Sequence, residues 1–147
     1  MNPLGKILLA DDDPQDIELI LRALATVNLA NDVFVVNNGE ELLDYLYFRG
    51  KFADRSKDYP VVILLDLKMP KVDGFEVLQN IKHNEKLKVI PVIVLTSSSE
   101  ENDIIQSYNL HANAYVVKPV DFQSFVTALK ELGIFWALIN QPPIIKE

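Results

Sequence analysis

The sequence contains no cysteine and only two histidines, His83 and His111. Without cysteine the chain cannot form disulfides, thiolate metal sites or thiol nucleophiles, and two isolated histidines do not favour a metal cluster or a Ser-His-Asp relay. No apolar run approaches the about 20 residues that span a bilayer, and the N-terminus, MNPLGK, lacks the basic-then-apolar order of a signal peptide. We therefore expect a cytoplasmic protein whose chemistry rests on oxygen ligands, lysines and hydroxyls.

Positive charge is also scarce, since 14 lysines and arginines face 21 aspartates and glutamates and leave a formal charge of −7. This balance disfavours binding to nucleic acid, whose phosphates repel an acidic surface. The 147 residues, 49% of them hydrophobic, suffice for one domain with a buried core but not for two. We predict a single domain over residues 1–147, with neither nucleic acid nor a membrane as its partner.

Short apolar segments alternate along the chain with amphipathic segments. The segments that predict strands are KILLA (6–10), DVFVV (32–36), VVILLD (61–66), PVIVLT (91–96) and AYVVK (114–118). The third and fourth are apolar throughout, which is typical of central parallel strands covered on both faces. Five segments with helical spacing follow them, among them SSEENDIIQSY (98–108) and DFQSFVTALKELGIFWALI (121–139). This alternation predicts an α/β fold with a parallel sheet.

Local signals mark where the first helices begin. Pro14 suits a first helical turn with Asp13 as its cap, and Asn38 followed by Glu41 has the spacing of a capping box. The polar segment 49–60 predicts an exposed insertion before the third strand. We therefore expect a helix directly after each of the first two strands.

Carboxylates follow two of the predicted strands. The first strand runs into Asp11 and Asp12, and the third ends at Asp66. In a parallel sheet of strand order 2-1-3-4-5, ligands collect beyond the carboxyl ends of strands one and three, where the winding direction reverses. Three like charges gathered there would raise one another's pKa values, and a divalent cation would relieve that cost. All-oxygen ligation suits Mg²⁺, so we predict a magnesium site; the alternative is a solvated strand end.

The remaining strand ends supply complementary groups. The fourth strand ends at Thr96 and the fifth at Lys118. A hydroxyl and an ammonium beside a metal and a carboxylate would receive the oxygens of a phosphoryl group, and Asp66 could attack phosphorus to give an aspartyl phosphate. Taken singly, Lys118 fits a solvated lysine at a strand end and Thr96 fits a cap.

The motifs ILLADDDP, LLDLKMPKVDG, VIVLTSS and AYVVKP together resemble the receiver domain of two-component response regulators, over about residues 5–132. The resemblance implies a flavodoxin-like, doubly wound sheet of five parallel strands, in the order 2-1-3-4-5, with five helices. It makes 133–147 an extension of the core. It also implies that Asp66 accepts phosphate from a histidine kinase. On this interpretation the protein is no enzyme but a phosphoacceptor domain that assists its own phosphorylation and dephosphorylation.

The resemblance also assigns roles around Asp66. Asp12 would bind Mg²⁺ directly, Asp11 would act largely through a metal-bound water, and the backbone carbonyl of Lys68 would complete the ligands that the protein supplies. Thr96 and Lys118 would bind the phosphoryl group. The implied site therefore combines a metal, a nucleophile and two phosphoryl-binding side chains.

Further positions follow from the same resemblance. Tyr115 would be the aromatic switch, whose ring turns inward when Thr96 moves toward the phosphate. The Lys118–Pro119 peptide would be cis and would aim the lysine inward. Most receivers carry glycine where His111 stands, so we expect that histidine to have a structural role. The Lys68 side chain, two residues after the acceptor, is expected to influence phosphate lifetime.

Several segments resemble one branch, the small response regulators paired with bacterial phytochromes. These are SYNLHANAYVVKP, the long loop before the third strand and GIFWALINQPP. A phytochrome histidine kinase is the implied partner. Since no effector sequence follows residue 147, we expect the signal to leave through the surface of this domain. We predict a homodimer formed by the fourth helix, fifth strand and fifth helix. Phe135 and Trp136, past Gly133, would either mark a contact or cover the core.

Other functions remain open at this point. A receiver-like scaffold could work without phosphorylation, although such members commonly lose one of the site residues. A magnesium phosphohydrolase with an aspartyl nucleophile, as in the haloacid dehalogenase family, usually has a second acid two residues after the first, where this chain has Lys68. A flavin site fits the fold class, but acids after the first strand would repel a cofactor phosphate.

Overall fold

The computed structural model describes residues 7–26, 33–67, 69, 71–96, 109, 112–118 and 121–133. Within them, five parallel strands form one sheet in the order β2-β1-β3-β4-β5. The strands are β1 (Ile7–Ala10), β2 (Val33–Val36), β3 (Val62–Asp66), β4 (Val92–Thr96) and β5 (Ala114–Val117). The predicted fold class, strand positions and strand order are confirmed.

Four α-helices are described, and two short 3-10 helices lie between them. The α-helices are α1 (Pro14–Ala25), α2 (Gly39–Tyr47), α3 (Gly74–Lys82) and α4 (Phe122–Leu132), and the 3-10 helices are Gly50–Phe52 and Leu87–Val89. Helix α4 corresponds to the fifth predicted helix, because the fourth, at 98–108, lies outside the described residues. Among the described helices, none combines the length and the apolar character that crossing a bilayer requires.

Helices cover both faces of the sheet, so the inner strands β1 and β3 bury both sets of their side chains. Leu64 of β3 packs in the layer that contains Leu24 of α1 and Leu129 of α4. Its neighbour Leu65 points to the other face and packs in the layer that contains Leu78 of α3. All five residues are fully buried. This two-sided burial is the physical reason for the unbroken apolar run that ends at Asp66.

Both predicted caps are present at the carboxyl edge of the sheet. The Asp13 carboxylate accepts a hydrogen bond from the Gln15 amide at 2.9 Å and begins α1. Asn38 Oδ1 accepts from the Glu41 amide at 2.7 Å, while Glu41 Oε1 accepts from the amide of residue 37 at 2.9 Å. With these caps, no more than three residues lie between each of the first two strands and the helix that follows it.

The predicted insertion at 49–60 is exposed at nine of its twelve residues, and the buried side chain of Phe52 anchors it. Phe52 is 8% exposed and packs edge-on against Tyr45, with ring centroids 5.2 Å apart. Tyr45 in turn stacks on Phe34 at 4.9 Å. The Arg55 guanidinium lies 3.7 Å from the Tyr45 ring centroid and donates two hydrogen bonds to the Tyr45 carbonyl. The polar composition of the segment gave no indication that Phe52 and Arg55 make these contacts.

Helix α4 ends where the apolar spacing of the sequence continues. Gly133 has φ +74°, and its amide donates to carbonyls of the last helical turn. A left-handed residue at this position ends an α-helix, so the predicted helical pattern does not run through Gly133 as one unbroken helix. Phe135 and Trp136 lie outside the described residues.

Candidate functional site

The register of the sheet brings the predicted acids together. Ala10 of β1 pairs with Leu65 of β3, so Asp11 and Asp66 leave neighbouring strands side by side. One carboxylate oxygen from each of Asp11, Asp12 and Asp66 can be chosen such that all three oxygens lie within 4.8 Å of one another. The convergence expected from the strand ends is therefore present.

The three acids differ in their contact with water. Asp11 is fully buried and Asp66 is 5% exposed, whereas Asp12 is exposed. Buried like charges require a cation or a proton nearby. The cluster therefore has a closed inner side, formed by Asp11 and Asp66, and an open side at Asp12.

Lys118 supplies positive charge from the end of β5. Its Nζ lies 2.9 Å from Asp11 Oδ2 and 3.5 Å from Asp66 Oδ2, and its side chain is 9% exposed. The lysine predicted from the sequence thus reaches the pocket and contacts the predicted acceptor. A nearly buried ammonium beside two buried carboxylates balances their charge directly.

A third carboxylate, which the sequence interpretation did not include, also binds Lys118. Asp16, in the first turn of α1, accepts a hydrogen bond from Lys118 Nζ at 2.9 Å. An acid at this position is an ordinary helix-start residue, because it interacts favourably with the helix dipole. Its spacing of five residues after Asp11 was the only available signal, and it does not by itself indicate contact with a distant lysine.

The ionisation of Lys118 is determined by two opposing effects. Burial by itself would lower the pKa of Lys118, but the contacts with Asp11 and Asp16, together with the charge of Asp66, raise it well above the ordinary 10.5. The ammonium therefore stays protonated throughout the physiological range. It is a fixed positive charge in the pocket.

The donor set fits a hard divalent cation. Asp11 Oδ1 accepts a hydrogen bond from the Asp13 amide at 3.0 Å, whereas Asp11 Oδ2 has no hydrogen-bond partner among the described residues and only the ion pair with Lys118. A buried oxygen in that state, next to an exposed carboxylate on Asp12, retains capacity for a ligand. Oxygen donors of this kind are those that Mg²⁺ prefers.

Close packing of α3 positions the end of β3. A Cβ added to Gly74 would lie 2.4 Å from Leu67 Cα and 2.5 Å from the Asp66 carbonyl oxygen. The Gly74 amide donates to the Leu67 carbonyl at 2.9 Å. Only glycine permits this approach, so the glycine of the LLDLKMPKVDG motif holds α3 against Leu67 and Asp66 at the end of β3.

Two other predicted site residues are described in part. The register pairs Thr96 of β4 with Val117 of β5, which brings the Thr96 backbone next to the residue before Lys118; the Thr96 side chain lies outside the description. Tyr115 is partly buried and packs against the core layer of α2 and α3. The predictions for Lys68, His111 and the Lys118–Pro119 peptide involve residues outside the described ranges.

The sequence as a whole decides the family. A family model for the response regulator receiver domain matches residues 7–130. The chain belongs to that family. Among curated relatives, this receiver is similar to the "Probable methanogenesis regulatory protein FilR2" of Methanothrix harundinacea, with 36% identity over 93% of this chain and 86% of the relative. It is also similar to "Response regulator Rcp1" of Synechocystis sp., with 37% identity over 92% of this chain and 90% of the relative.

Solved structures of response regulators have the same fold as this receiver. The bacteriophytochrome response regulator RtBRR is 54% identical, with a TM-score of 0.84 over 96% of this chain and 85% of that one. AtBRR, also a bacteriophytochrome response regulator, is 52% identical, with a TM-score of 0.84 over 95% and 100%. The Mn²⁺-bound form of Rcp1 is 34% identical, with a TM-score of 0.74 over 98% and 100%. The predicted resemblance to phytochrome response regulators is confirmed.

Proposed function

We propose that this receiver is a phosphoacceptor of two-component signalling, which a histidine kinase phosphorylates on Asp66 in the presence of Mg²⁺. One observation carries the proposal. Asp66 is 5% exposed and lies within 4.8 Å of two other carboxylates, with the Lys118 ammonium 3.5 Å away. Such a cluster is costly unless it serves cation and phosphoryl binding.

The residues of the chain supply a nucleophile and a counter-charge. A carboxylate oxygen of Asp66 attacks the phosphorus of a phosphohistidine; an O–P bond forms, the N–P bond breaks, and the released imidazole takes up a proton from water. Lys118 donates a hydrogen bond to a phosphoryl oxygen and offsets its negative charge. The Thr96 hydroxyl binds another phosphoryl oxygen.

The metal belongs to the same proposal. Asp11, Asp12, Asp66 and the backbone carbonyl of Lys68 would hold Mg²⁺, which when bound neutralises charge on the phosphoryl oxygens. The capacity of Asp11 Oδ2 for a further ligand and the Mn²⁺-bound form of the relative Rcp1 support this assignment.

The donor in the proposal is a bacterial phytochrome with histidine kinase activity, in the cytoplasm. Support comes from the two bacteriophytochrome response regulators that share more than half of their aligned residues with this chain. The site residues are common to receivers in general. The choice of donor therefore rests on sequence identity outside the pocket.

Phosphorylation would change contacts on the face that contains β5 and α4. Tyr115, with Val117 and Thr127, lines a groove between these two elements, and Val117 and Phe122 are 37% and 40% exposed. In the proposal, Thr96 moves toward the phosphoryl group, the Tyr115 ring turns inward, and this altered face forms a homodimer together with the predicted fourth helix. A ligand that favours one of two existing conformations produces such a change.

The test is phosphorylation by a small phosphodonor with Mg²⁺, followed by intact mass and sedimentation velocity. With Mg²⁺, the wild-type protein should gain the mass of one phosphoryl group and shift toward a dimer. With EDTA in place of Mg²⁺, the mass should not change. Asp66→Asn should gain none, while Asp54→Asn, the same change at an exposed position of the insertion, should behave like wild type. A mass gain that persists in Asp66→Asn would remove Asp66 from its role. A monomer in both states would contradict the dimer.

A further inference from the structure

Lys118 is not centred on the acceptor carboxylate. Its ammonium is 2.9 Å from Asp16 and 2.9 Å from Asp11, but 3.5 Å from Asp66. Asp16 belongs to the first turn of α1, 102 residues before Lys118 in the chain. The resting position of the lysine is thus shared between α1 and the pocket.

We propose that Asp16 is a positioning residue that holds the Lys118 ammonium toward α1 in the unphosphorylated protein. The hydrogen bond between them breaks when a phosphoryl group is attached to Asp66. Asp16 thereby limits how tightly the pocket retains the phosphoryl group. This inference rests on the proposed function, since it concerns the same lysine and the same acceptor.

The carboxylates already around the lysine create the competition. An ammonium has three N–H groups, and this one donates a hydrogen bond to Asp16 and forms ion pairs with Asp11 and Asp66, all within 3.5 Å. A phosphoryl oxygen on Asp66 that takes a hydrogen bond from Lys118 therefore competes with these carboxylates for the ammonium.

Solvent exposure indicates which partner leaves. The side chains of Asp11 and Asp66 are 0% and 7% exposed, whereas that of Asp16 is 27% exposed. A carboxylate that remains buried without a cation pays a large desolvation cost, while one at the surface regains water. The contact between Lys118 and Asp16 is therefore the least costly of the three to break.

Asp16 is also not needed to begin its helix. Asp13 is the N-cap and accepts from the Gln15 amide at 2.9 Å, and Pro14 occupies the first turn. The hydrogen bond from Lys118 to Asp16 joins α1 to the end of β5. A purely local role in α1 would not require that contact.

The experiment measures the affinity for beryllium fluoride in saturating Mg²⁺ by titration calorimetry, in wild type, Asp16→Asn and Glu18→Gln. Glu18→Gln is the matched control, because it removes the same charge from the same helix, and among the described residues Glu18 pairs only with Arg22, at the surface and at 3.3 Å. We expect Asp16→Asn to bind beryllium fluoride about threefold to tenfold more tightly, as for the loss of one charged, partly exposed competitor. Glu18→Gln should stay within about twofold of wild type.

Two further measurements separate positioning from a structural role. Asp16→Glu, which restores the charge, should return the affinity toward wild type. In metal-free protein, the Lys118 ammonium should give a slowly exchanging ¹⁵N NMR signal that is lost in Asp16→Asn and kept in Glu18→Gln. Unchanged or weaker beryllium fluoride binding in Asp16→Asn, or an equal gain in Glu18→Gln, would overturn the inference.

The wild-type protein alone provides a test that does not depend on the folding of a variant. The side-chain carboxyl ¹³C resonance of Asp16 should move when beryllium fluoride binds, and that of Glu18 should not; an unmoved Asp16 resonance would overturn the inference. Failure of the proposed function looks different, because wild-type protein would then bind no beryllium fluoride, or Asp66→Asn would bind it as well as wild type does.

Discussion

Two partly buried lysines lie at opposite ends of the sheet and have opposite environments. Lys118, at the carboxyl end of β5, contacts three carboxylates. Lys82, at the end of α3, donates to the carbonyls of Lys88 and Ile90 and to Asn113 Oδ1, at 3.3, 3.0 and 3.0 Å. Asn113 Oδ1 also accepts from the Val92 amide at 2.9 Å, so Lys82 ties α3 to the amino end of β4. No ion pair of Lys82 is present among the described residues.

The difference separates a cation held by uncharged oxygens from one held by carboxylates. Burial lowers the pKa of Lys82 from its ordinary 10.5, and no carboxylate of the described residues offsets it, whereas the carboxylates around Lys118 outweigh burial and raise its pKa. The oxygens that bind Lys82 are uncharged, and their partial charge does not depend on what binds at the other end of the sheet. Carboxylates can bind a metal or regain water, so the contacts of Lys118 can change with the state of the pocket, and under the proposed function they change when Asp66 is phosphorylated.

The largest expected effect comes from removing the cation held by carboxylates. Lys118→Met should lower the free energy of unfolding in EDTA by about 3 kcal/mol, because Asp11 and Asp66 stay buried without their counter-charge. Mg²⁺ should recover more stability in this variant than it adds to wild type, since the metal replaces the missing charge. Urea unfolding with EDTA and with Mg²⁺ measures both quantities.

Lys82→Met is the matched control at the other end of the sheet. It should cost only about 1 kcal/mol, because the ammonium donates to uncharged oxygens and its removal leaves no buried carboxylate without a counter-charge, and its response to Mg²⁺ should equal that of wild type. If the two lysine variants lose the same stability and respond identically to Mg²⁺, the distinction between the two ends of the sheet is wrong.

A smaller effect tests the packing of the carboxyl end. Gly74→Ala should destabilise by about 2 kcal/mol, because its Cβ would overlap Leu67 and the Asp66 carbonyl, and it should weaken beryllium fluoride binding. Gly133→Ala offers the comparison, since its Cβ meets nothing within 4 Å and only φ +74° is unfavourable. That variant should lose about 1 kcal/mol and keep its affinity. Equal affinities in the two variants would contradict the packing role of Gly74.

The smallest effect is the pH dependence of stability in EDTA. Lys118 has a raised pKa in the folded state, so its stabilisation is fully present below about pH 10.5 and is lost as the pH rises through the folded value. Lys82 has a lowered pKa, so its charged form costs stability at lower pH and this cost disappears as the pH rises toward 10.5.

Urea unfolding of wild type and both methionine variants, from about pH 8 to about pH 11, compares the two slopes. The stability lost in Lys82→Met should grow with pH over this range, while the loss in Lys118→Met should stay constant until about pH 10.5 and then shrink. Slopes of the same sign for both variants would show that the two lysines do not differ in the way the structure indicates.

Much of the fold was predictable because its signals are local or periodic. The apolar runs that end at Asp66 and Thr96 are buried on both faces by helices, and Asp13 and Asn38 cap the helices that follow the first two strands. The anchoring of the insertion was not predicted. Phe52 is an isolated aromatic in a polar segment, and it packs on Phe34 and Tyr45, which no spacing rule connects to it.

The sequence alone determined which acids, hydroxyls and lysine follow the strand ends, because strands and their termini are encoded by short apolar runs and by turn and cap residues. Tertiary structure decided which of these groups meet. Asp16 and Lys118 are 102 residues apart and touch only because α1 packs beside the end of β5. Pairing between charges so far apart in the chain depends on how the helices pack on the sheet, and the spacing of residues in the sequence does not predict it.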